Sequence, residues 1–300
     1  MDKLLFTGAS GFLGTNILPL LINKYDKVTK LGHLPSDDIQ VNLAREIPVL
    51  DEHYSIVLHA AGKAHVIPRT QEEEKAFYDV NYQGTVNLCK GLEMVGTPKS
   101  LIFISTVAVY GCEEGNLIDE SHPLNGVTPY AKSKIMAEDY LTEWCYRNNI
   151  VLTILRPSLL AGINPPGNLG DMVTGIKKGF YLNIAGGKVQ KSILMADDIV
   201  KLLELAKDKG GVYNVCDTAQ PSFGELSKLI AKQLGKGNPI SIPYWFAKTL
   251  ALIGDLVGER FPINSLRLSK LTQSLTFSNK RAIENLNWRP MSVLENFHIN

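Results

Sequence analysis

The chain lacks the features that mark several protein classes. Its four cysteines, Cys89, Cys112, Cys145 and Cys216, lie far apart, form no CxxC pair and have no histidine at metal-binding spacing. This argues against a structural metal or a disulfide framework and fits a reducing compartment. No run approaches the roughly 18 apolar residues of a bilayer span. The first apolar run is broken by glycines before it reaches the length of a secretory signal. A cytoplasmic protein without a membrane span is therefore expected. Neither sign of charge dominates, and a formal net charge of +1 leaves no basic stripe for nucleic acid and no acidic tail. Internal repeats and low-complexity segments are also missing.

What remains is a chain of 300 residues, 45% hydrophobic, long enough for a large core. Short apolar runs at 4–6, 28–31, 56–59, 101–105, 152–155 and 212–215 read as strands. Helical patterns lie between them near 16–23, 72–95, 128–148 and 196–207. This alternation predicts an α/β fold, a Rossmann-type doubly wound parallel sheet.

The stretch Lys3-Leu4-Leu5-Phe6-Thr7-Gly8-Ala9-Ser10-Gly11-Phe12-Leu13-Gly14 organises that sheet. An apolar strand runs into three glycines spaced three apart and then into a helix. The free N–H groups and dipole of a helix start suit a pyrophosphate. Gly8 allows the tight turn, Gly11 the close approach of phosphate, and Gly14 close helix–strand packing. The second strand ends in Gly32-His33, where an NAD-binding chain normally carries an acid. Asp37 and Asp38 read as solvated turn residues, so NAD and NADP both stay open. Asn42-Leu43 stands where a polar-apolar pair would flank adenine. His59-Ala60-Ala61-Gly62 ends a buried strand in small residues, as close passage along a cofactor requires. Asn81 reads as a brace between loops.

Ser105-Thr106 closes the strand 101–105, and Tyr130 and Lys134 stand four apart, on one face of a helix. A free phenol, with a pKa near 10, is a poor base at neutral pH. A neighbouring ammonium and the positive ring of an oxidised nicotinamide favour the phenolate, and lowering the pKa by ~3 units takes roughly 4 kcal/mol. Thr106 is placed to hydrogen-bond the same substrate oxygen.

These motifs resemble the extended short-chain dehydrogenase/reductase family (NAD-dependent epimerase/dehydratase), in its nucleotide-sugar 4-epimerase and 4-ketoreductase branch. The likeness continues through Val109-Tyr110-Gly111, Leu155-Arg156-Pro157, Asp197-Asp198-Ile199-Val200, Gly211-Val212-Tyr213-Asn214-Val215 and Leu286-Asn287-Trp288-Arg289-Pro290. The resemblance implies Tyr130 as acid/base, Lys134 as the residue that lowers its pKa and holds the nicotinamide ribose, and Thr106 as the third catalytic group. It implies cofactor contacts at Gly8, Ser10, Gly11, Phe12, Leu13, Gly14, Gly32, His33, Asn42, Leu43, His59, Ala60, Ala61, Gly62, Lys63, Asn81, Ser105, Tyr130, Lys134 and Pro157. It places substrate contacts at Lys63, Thr106, Val107, Asn168 and Lys191, with Lys188 a second candidate beside Lys191. Metal ligands are not expected.

The implied reaction is hydride transfer at a sugar carbon, C4 of a UDP-sugar, in a cytoplasmic homodimer. Dehydratases of the family carry an Asp-Glu pair after the catalytic Thr, whereas this chain has Val107-Ala108, which disfavours elimination. After Pro157 the pattern departs from the family. Leu159 replaces an asparagine used near the sugar, and Ala161-Gly162-Ile163 replaces Tyr-Gly-Pro. The departure favours a 4-ketoreductase of a UDP-4-keto-6-deoxy-N-acetylhexosamine as the alternative to a 4-epimerase. A non-catalytic dinucleotide-sensing regulator is the alternative from another class. The expected domains are 1–157 with about 188–218 for NAD(P), and about 158–187 with 219–300 as a substrate lid. Residues 164–170 read as a loop leading to a helix at 171–178, and Tyr244 to Val257 as an apolar lid helix packed on the core, in preference to a partner or membrane-surface contact.

Overall fold

A computed structural model describes residues 3–64, 66–257 and 264–299. The chain begins with β1 (Lys3–Thr7), α1 (Phe12–Ile22), β2 (Lys27–Gly32), β3 (Ile39–Gln40) and β4 (Ile56–His59). It continues through α2 (Gln71–Tyr78), a π-turn (Asp79–Gln83), α3 (Gly84–Val95) and β5 (Ser100–Ile104). A 3₁₀ turn (Val107–Tyr110), β6 (Gly115–Ile118), α4 (Pro129–Arg147) and β7 (Val151–Pro157) complete the first half. The second half holds β8 (Leu159–Ala161), α5 (Gly167–Lys178), β9 (Asn183–Ile184), β10 (Ile193–Met195), α6 (Asp198–Ala206) and β11 (Gly211–Val215). Then follow α7 (Phe223–Gln233), β12 (Ser241–Ile242), α8 (Tyr244–Val257), α9 (Ser265–Thr272), β13 (Leu275–Phe277), α10 (Lys280–Leu286) and α11 (Val293–Asn296).

Seven strands form one parallel sheet in the order β11-β7-β5-β4-β1-β2-β3. The chain leaves β1 to one side for β2 and β3, then crosses back to β4, β5, β7 and β11. The crevice between β1 and β4 is thus the switch point at which doubly wound sheets bind ligands. The register pairs Thr7 with His59, His59 with Phe103 and Ile104 with Leu155, so these strand ends share one edge.

Alternation along β1 explains the two cores. Leu4 and Phe6 pack with Ile17, Leu21, Leu58 and Leu203 on one face. Leu5 packs with Val57, Leu88, Leu92 and Phe103 on the other. Both faces are covered, as a parallel sheet requires. A third core joins α5, α7 and α11 through Met172, Ile176, Leu226, Ile230 and Val293.

The fold class is as expected, and all six expected strands are present. Three details correct the sequence reading. Segment 72–95 is not one regular helix, because the π-turn at 79–83 interrupts it and the Gly84 N–H reaches back five residues to the Asp79 carbonyl. The loop expected through Gly170 is already helical from Gly167. Helix α8 matches its expected span, but its packing is reversed: Ala247, Ala251 and Gly254 are buried while its large apolar side chains are exposed. Strands β3, β6, β8, β9, β10, β12 and β13, two to four residues each, are too short to show a period in sequence.

Candidate active site

The glycine turn after β1 is built by close contact. Gly8 has φ +81°, and a Cβ there would lie 2.6 Å from the Ala60 carbonyl carbon and the Ala61 nitrogen at the end of β4. At Gly14 a Cβ would overlap the Gly8 carbonyl, so α1 seats directly on the turn. At Gly11, by contrast, a Cβ would meet only the Gly8 carbonyl, at 3.4 Å. Gly11 is also the N-cap of α1, and no side chain caps the helix. Ser10, Phe12 and Leu13 therefore surround a helix start whose N–H groups suit an anion. These residues fit a dinucleotide.

Residues 33–38 form a turn that changes the reading of the β2 end. Asp37 N–H donates to the Leu34 carbonyl at 3.0 Å, and Asp37 Oδ2 accepts from Leu34 N–H at 2.9 Å. The turn carries the Asp37 carboxylate back against Gly32, where a Cβ would overlap it. The slot expected to be neutral thus has an acid beside it, supplied five residues later in the chain. His33 is exposed. Lys30 is engaged elsewhere, with its Nζ 2.5 Å from the Ser36 carbonyl and 3.6 Å from Asp38. Asn42 spends its side chain on its own turn, accepting from Ala44 N–H, and Leu43 is buried with its carbonyl bonded to Asn87.

His59 is a scaffold residue. Its Nδ1 lies 2.7 Å from Thr7 Oγ1 and its Nε2 2.8 Å from Thr85 Oγ1. Thr85 donates to the Asn81 carbonyl and so accepts from His59 Nε2, while Nδ1 of the neutral ring accepts from the Thr7 hydroxyl. The imidazole therefore carries its proton on Nε2. Burial, aided by the Lys134 charge, pushes its pKa down to about 3. Both ring nitrogens being committed, only its backbone is open to a cofactor.

Asn81, on the π-turn, accepts from Lys63 N–H at 2.7 Å and donates to the Lys63 carbonyl and to Ser133 Oγ. It braces the loop after β4 against α4, as the sequence reading expected. In that loop a Cβ on Gly62 would lie 3.2 Å from Lys134 Nζ. The Lys63 ammonium sits 5.7 Å from the Phe77 ring centroid, and that ring faces Tyr130 at 6.2 Å.

Helix α4 starts with Thr128 capping Ala131 N–H and Pro129 at the first turn, which fixes where Tyr130 and Lys134 project. The Thr106 hydroxyl accepts from Ala108 N–H at 3.1 Å and stands beside the Tyr130 phenol. Burial pushes the Tyr130 pKa up, and Thr106 opposes it. Lys134 donates to the Ile104 carbonyl at 2.8 Å and lies 4.5 Å from the Phe103 ring centroid. Burial brings its pKa down to about 8, partly countered by Glu138.

Below these residues lies a network the sequence reading did not assemble. Ser105 donates to Glu138, so its hydroxyl is turned away from the sheet edge. Glu138 accepts a fork from Arg156, at 3.1 Å from Nε and 2.5 Å from Nη2. Arg156 also donates to the Tyr110 hydroxyl at 3.0 Å, and Tyr110 donates to Asn214 at 2.7 Å. Burial works against the Arg156 charge, but Glu138 outweighs it and holds the pKa above its ordinary value. One signal was legible: Glu138 follows Tyr130 and Lys134 at the same four-residue spacing.

Pro157 is buried at the end of β7, and Val107 is half-buried in the 3₁₀ turn. Asn168 and Lys188 are exposed, whereas Lys191 is half-buried and its backbone bridges to Leu275.

Residues 4–216 match the model of the NAD dependent epimerase/dehydratase family. The chain is 30% identical over 296 residues to the N-acetyl-alpha-D-glucosaminyl-diphospho-ditrans,octacis-undecaprenol 4-epimerase of Escherichia coli O157:H7, covering 92% of this chain and 87% of that protein. It is 28% identical over 315 residues to the UDP-glucose 4-epimerase of Vibrio cholerae, covering 98% and 92%. Its fold is similar to the UDP-glucose 4-epimerase of Thermotoga maritima solved with UDP-glucose, with a TM-score of 0.75, 20% identity, and 99% and 96% of the two chains covered.

Proposed function

Because this chain belongs to the NAD dependent epimerase/dehydratase family, we propose that it is an NAD-dependent 4-epimerase of a hexose carried on a diphosphate, UDP in the first instance. The observation that carries this reading is the place of Thr106 beside the Tyr130 phenol at the sheet edge, with Lys134 one turn further along α4 and beside Gly62.

Gly8, Ser10, Gly11, Phe12, Leu13 and Gly14 would hold the pyrophosphate, and Ala60, Ala61 and Gly62 would let the nicotinamide half pass close to β4. When bound, NAD supplies a reversible hydride acceptor. Tyr130 takes the proton from the sugar C4 hydroxyl as that carbon is oxidised, and returns it when the ketone is reduced on the opposite face. Thr106, beside Tyr130, orients the same oxygen. Lys134, cationic below about pH 8, adds positive charge to a site in which burial alone disfavours the phenolate. Val107 and Ala108 carry no acid or base, so elimination of water has no group to perform it. Asp37 supports NAD over NADP, since a carboxylate at the β2 end accepts from a ribose hydroxyl and repels a 2′-phosphate. Lys191, with Lys188, supplies positive charge for the substrate diphosphate.

The proposed cofactor part is 1–157 with about 188–218, and the substrate part about 158–187 with 219–300. Dimerisation through α2, α3 and α4 belongs to the same reading. A second substrate reading, a hexosamine on a polyprenyl diphosphate, is favoured by the E. coli relative's name and by the exposed apolar face of α8.

The test is turnover of UDP-glucose and UDP-N-acetylglucosamine, following C4 epimers by chromatography, beside that of a UDP-4-keto-6-deoxy-N-acetylhexosamine, each with NADH or NADPH supplied and its consumption followed. Epimers formed with no net loss of NADH or NADPH support the epimerase. One reduced cofactor consumed per 4-keto sugar, with no epimerisation, replaces it with the ketoreductase.

A further inference from the structure

Helix α8 turns its bulk the wrong way for a core helix. Ala247 and Ala251 pack on Leu268, with Ile184 and Ile242 beside them. At 100° per residue the opposite side carries Trp245, Phe246, Thr249, Leu252, Ile253 and Leu256. Trp245 is 69% exposed and Leu256 89%. The one hydroxyl on this side, Thr249, donates back to the Trp245 carbonyl and is spent within the helix. Tyr244, Trp245 and Phe246 leave on the order of 300 Å² of aromatic surface in water. With the aliphatic residues the patch passes the few hundred Å² an ordinary monomer exposes. Leu182 and Ile240 extend it, since Asn183 N–H bonds the Ile240 carbonyl and both apolar neighbours are exposed.

Charge is skewed in the same part of the molecule. Residues 158–191 and 219–257 hold eight lysines against three acids, in a chain whose formal net charge is +1. Of the acids, Glu225 is tied to Ser222 and Asp255 to Ser265. Lys177, Lys178, Lys236 and Lys248 are exposed, on the segments that lead into β9 and β12 and on α8 itself.

We infer that α8 is an interfacial helix that lays its Trp245–Leu256 face into the headgroup region of an anionic lipid bilayer. Fourteen residues span about 21 Å, too short to cross the roughly 30 Å hydrocarbon layer but suited to lying in its plane. Among the described residues no helix is long and apolar enough to cross a membrane. The lysine surplus selects this occupant over a second copy of the chain: a two-fold contact through α8 would bring two positive surfaces together, whereas an anionic leaflet attracts them. The helix follows β12, which pairs with β9, the strand that leads into Lys188 and Lys191. The surface stands on α8 and the charge distribution. Only its use, presenting the site to a sugar diphosphate borne by a membrane lipid, rests on the reading proposed above.

The experiment is co-sedimentation of the full chain with vesicles of phosphatidylcholine, alone or with about a third phosphatidylglycerol, together with Trp emission. Trp144 and Trp288 are buried, so a blue shift on vesicles reports Trp245. Binding to the anionic vesicles that weakens with salt, and falls by on the order of tenfold or more in Trp245→Glu/Leu256→Glu, supports the inference. UDP-hexose turnover in solution should be the same in both proteins. Absence of vesicle binding and of the emission shift at low salt overturns it, as does a double variant that binds like the parent. Conversion of an oligomer to a monomer by the double variant, without vesicle binding by the parent, assigns the face to a second copy. Vesicle binding without sugar turnover in the parent counts against the epimerase reading alone.

Discussion

The sheet edge and the surface beyond Pro157 are held in different ways. At the edge, Thr7, His59, Thr85, Asn81, Ser105 and Glu138 all have named partners, and several bridge elements more than 25 residues apart. Beyond Pro157, Asn168 and Lys188 are exposed, and the large apolar groups of α8 point outward. The contrast separates two tasks. Proton and hydride transfer need groups held to within a fraction of an ångström, which interlocked hydrogen bonds provide. Recognition of a large substrate tolerates adaptable lysines and a surface that adjusts to what it touches.

The hardest test of this contrast is Tyr130→Phe. It should lower kcat/KM for epimerisation about 10²–10⁴-fold, roughly 3–5 kcal/mol of barrier, measured by C4 epimer formation. Activity near the parent's would break the assignment of the edge as the reacting part and favour a sensing role. Glu138→Gln leaves Arg156 buried without its carboxylate and should cost about 3–5 kcal/mol in urea unfolding. Asn168→Ala should stay within about 0.5 kcal/mol, and equal costs for the two would erase the distinction.

Between these two regions the sequence was unevenly legible. Strands β1, β2, β4, β5, β7 and β11 and the Tyr130–Lys134 pair were visible because both rest on local periodicity. Asp37 is the turn residue it was read as, but the place of its carboxylate against Gly32 depends on a six-residue turn whose path no periodicity encodes. The Ser105–Glu138–Arg156–Tyr110 network joins residues up to 51 positions apart and exists only once α4 crosses β5 and β7. The reversal of α8 was hidden because fourteen mostly apolar residues read alike whichever side faces inward. Only the positions of its small residues, 247, 251 and 254, hinted at it.

Smaller effects sharpen the same division. Because the folded-state pKa of Lys134 is depressed to about 8, its charge is present below that pH and lost above it. Turnover should therefore fall on the alkaline side near pH 8, and Lys134→Arg should remove that limb in a pH–rate profile. Its effect on stability has the opposite slope. Between about pH 8 and 10.5 the unfolded chain binds the extra proton, so this group's contribution to stability rises with pH. Asp37→Ser should shift cofactor preference toward NADP by about tenfold, about 1.4 kcal/mol, in competitive binding. Lys191→Ala should raise the sugar KM about threefold to tenfold and leave kcat unchanged. A loss in kcat instead would place Lys191 among the held groups.

The π-turn at Asp79–Gln83 gives this part of the chain a phase as well as a composition. The Gly84 N–H reaches back five residues rather than four, which inserts one residue between the faces of α2 and α3. Deleting one residue of this turn other than Asn81 would restore an unbroken helix and swing α3 by about 100° relative to α2. Asn81 could then keep its hold on Lys63 and Ser133, or Leu88 and Leu92 could keep their seats under the sheet, but not both. Length is as tightly specified here as any side chain, and a variant one residue shorter would have to choose between the loop after β4 and its core.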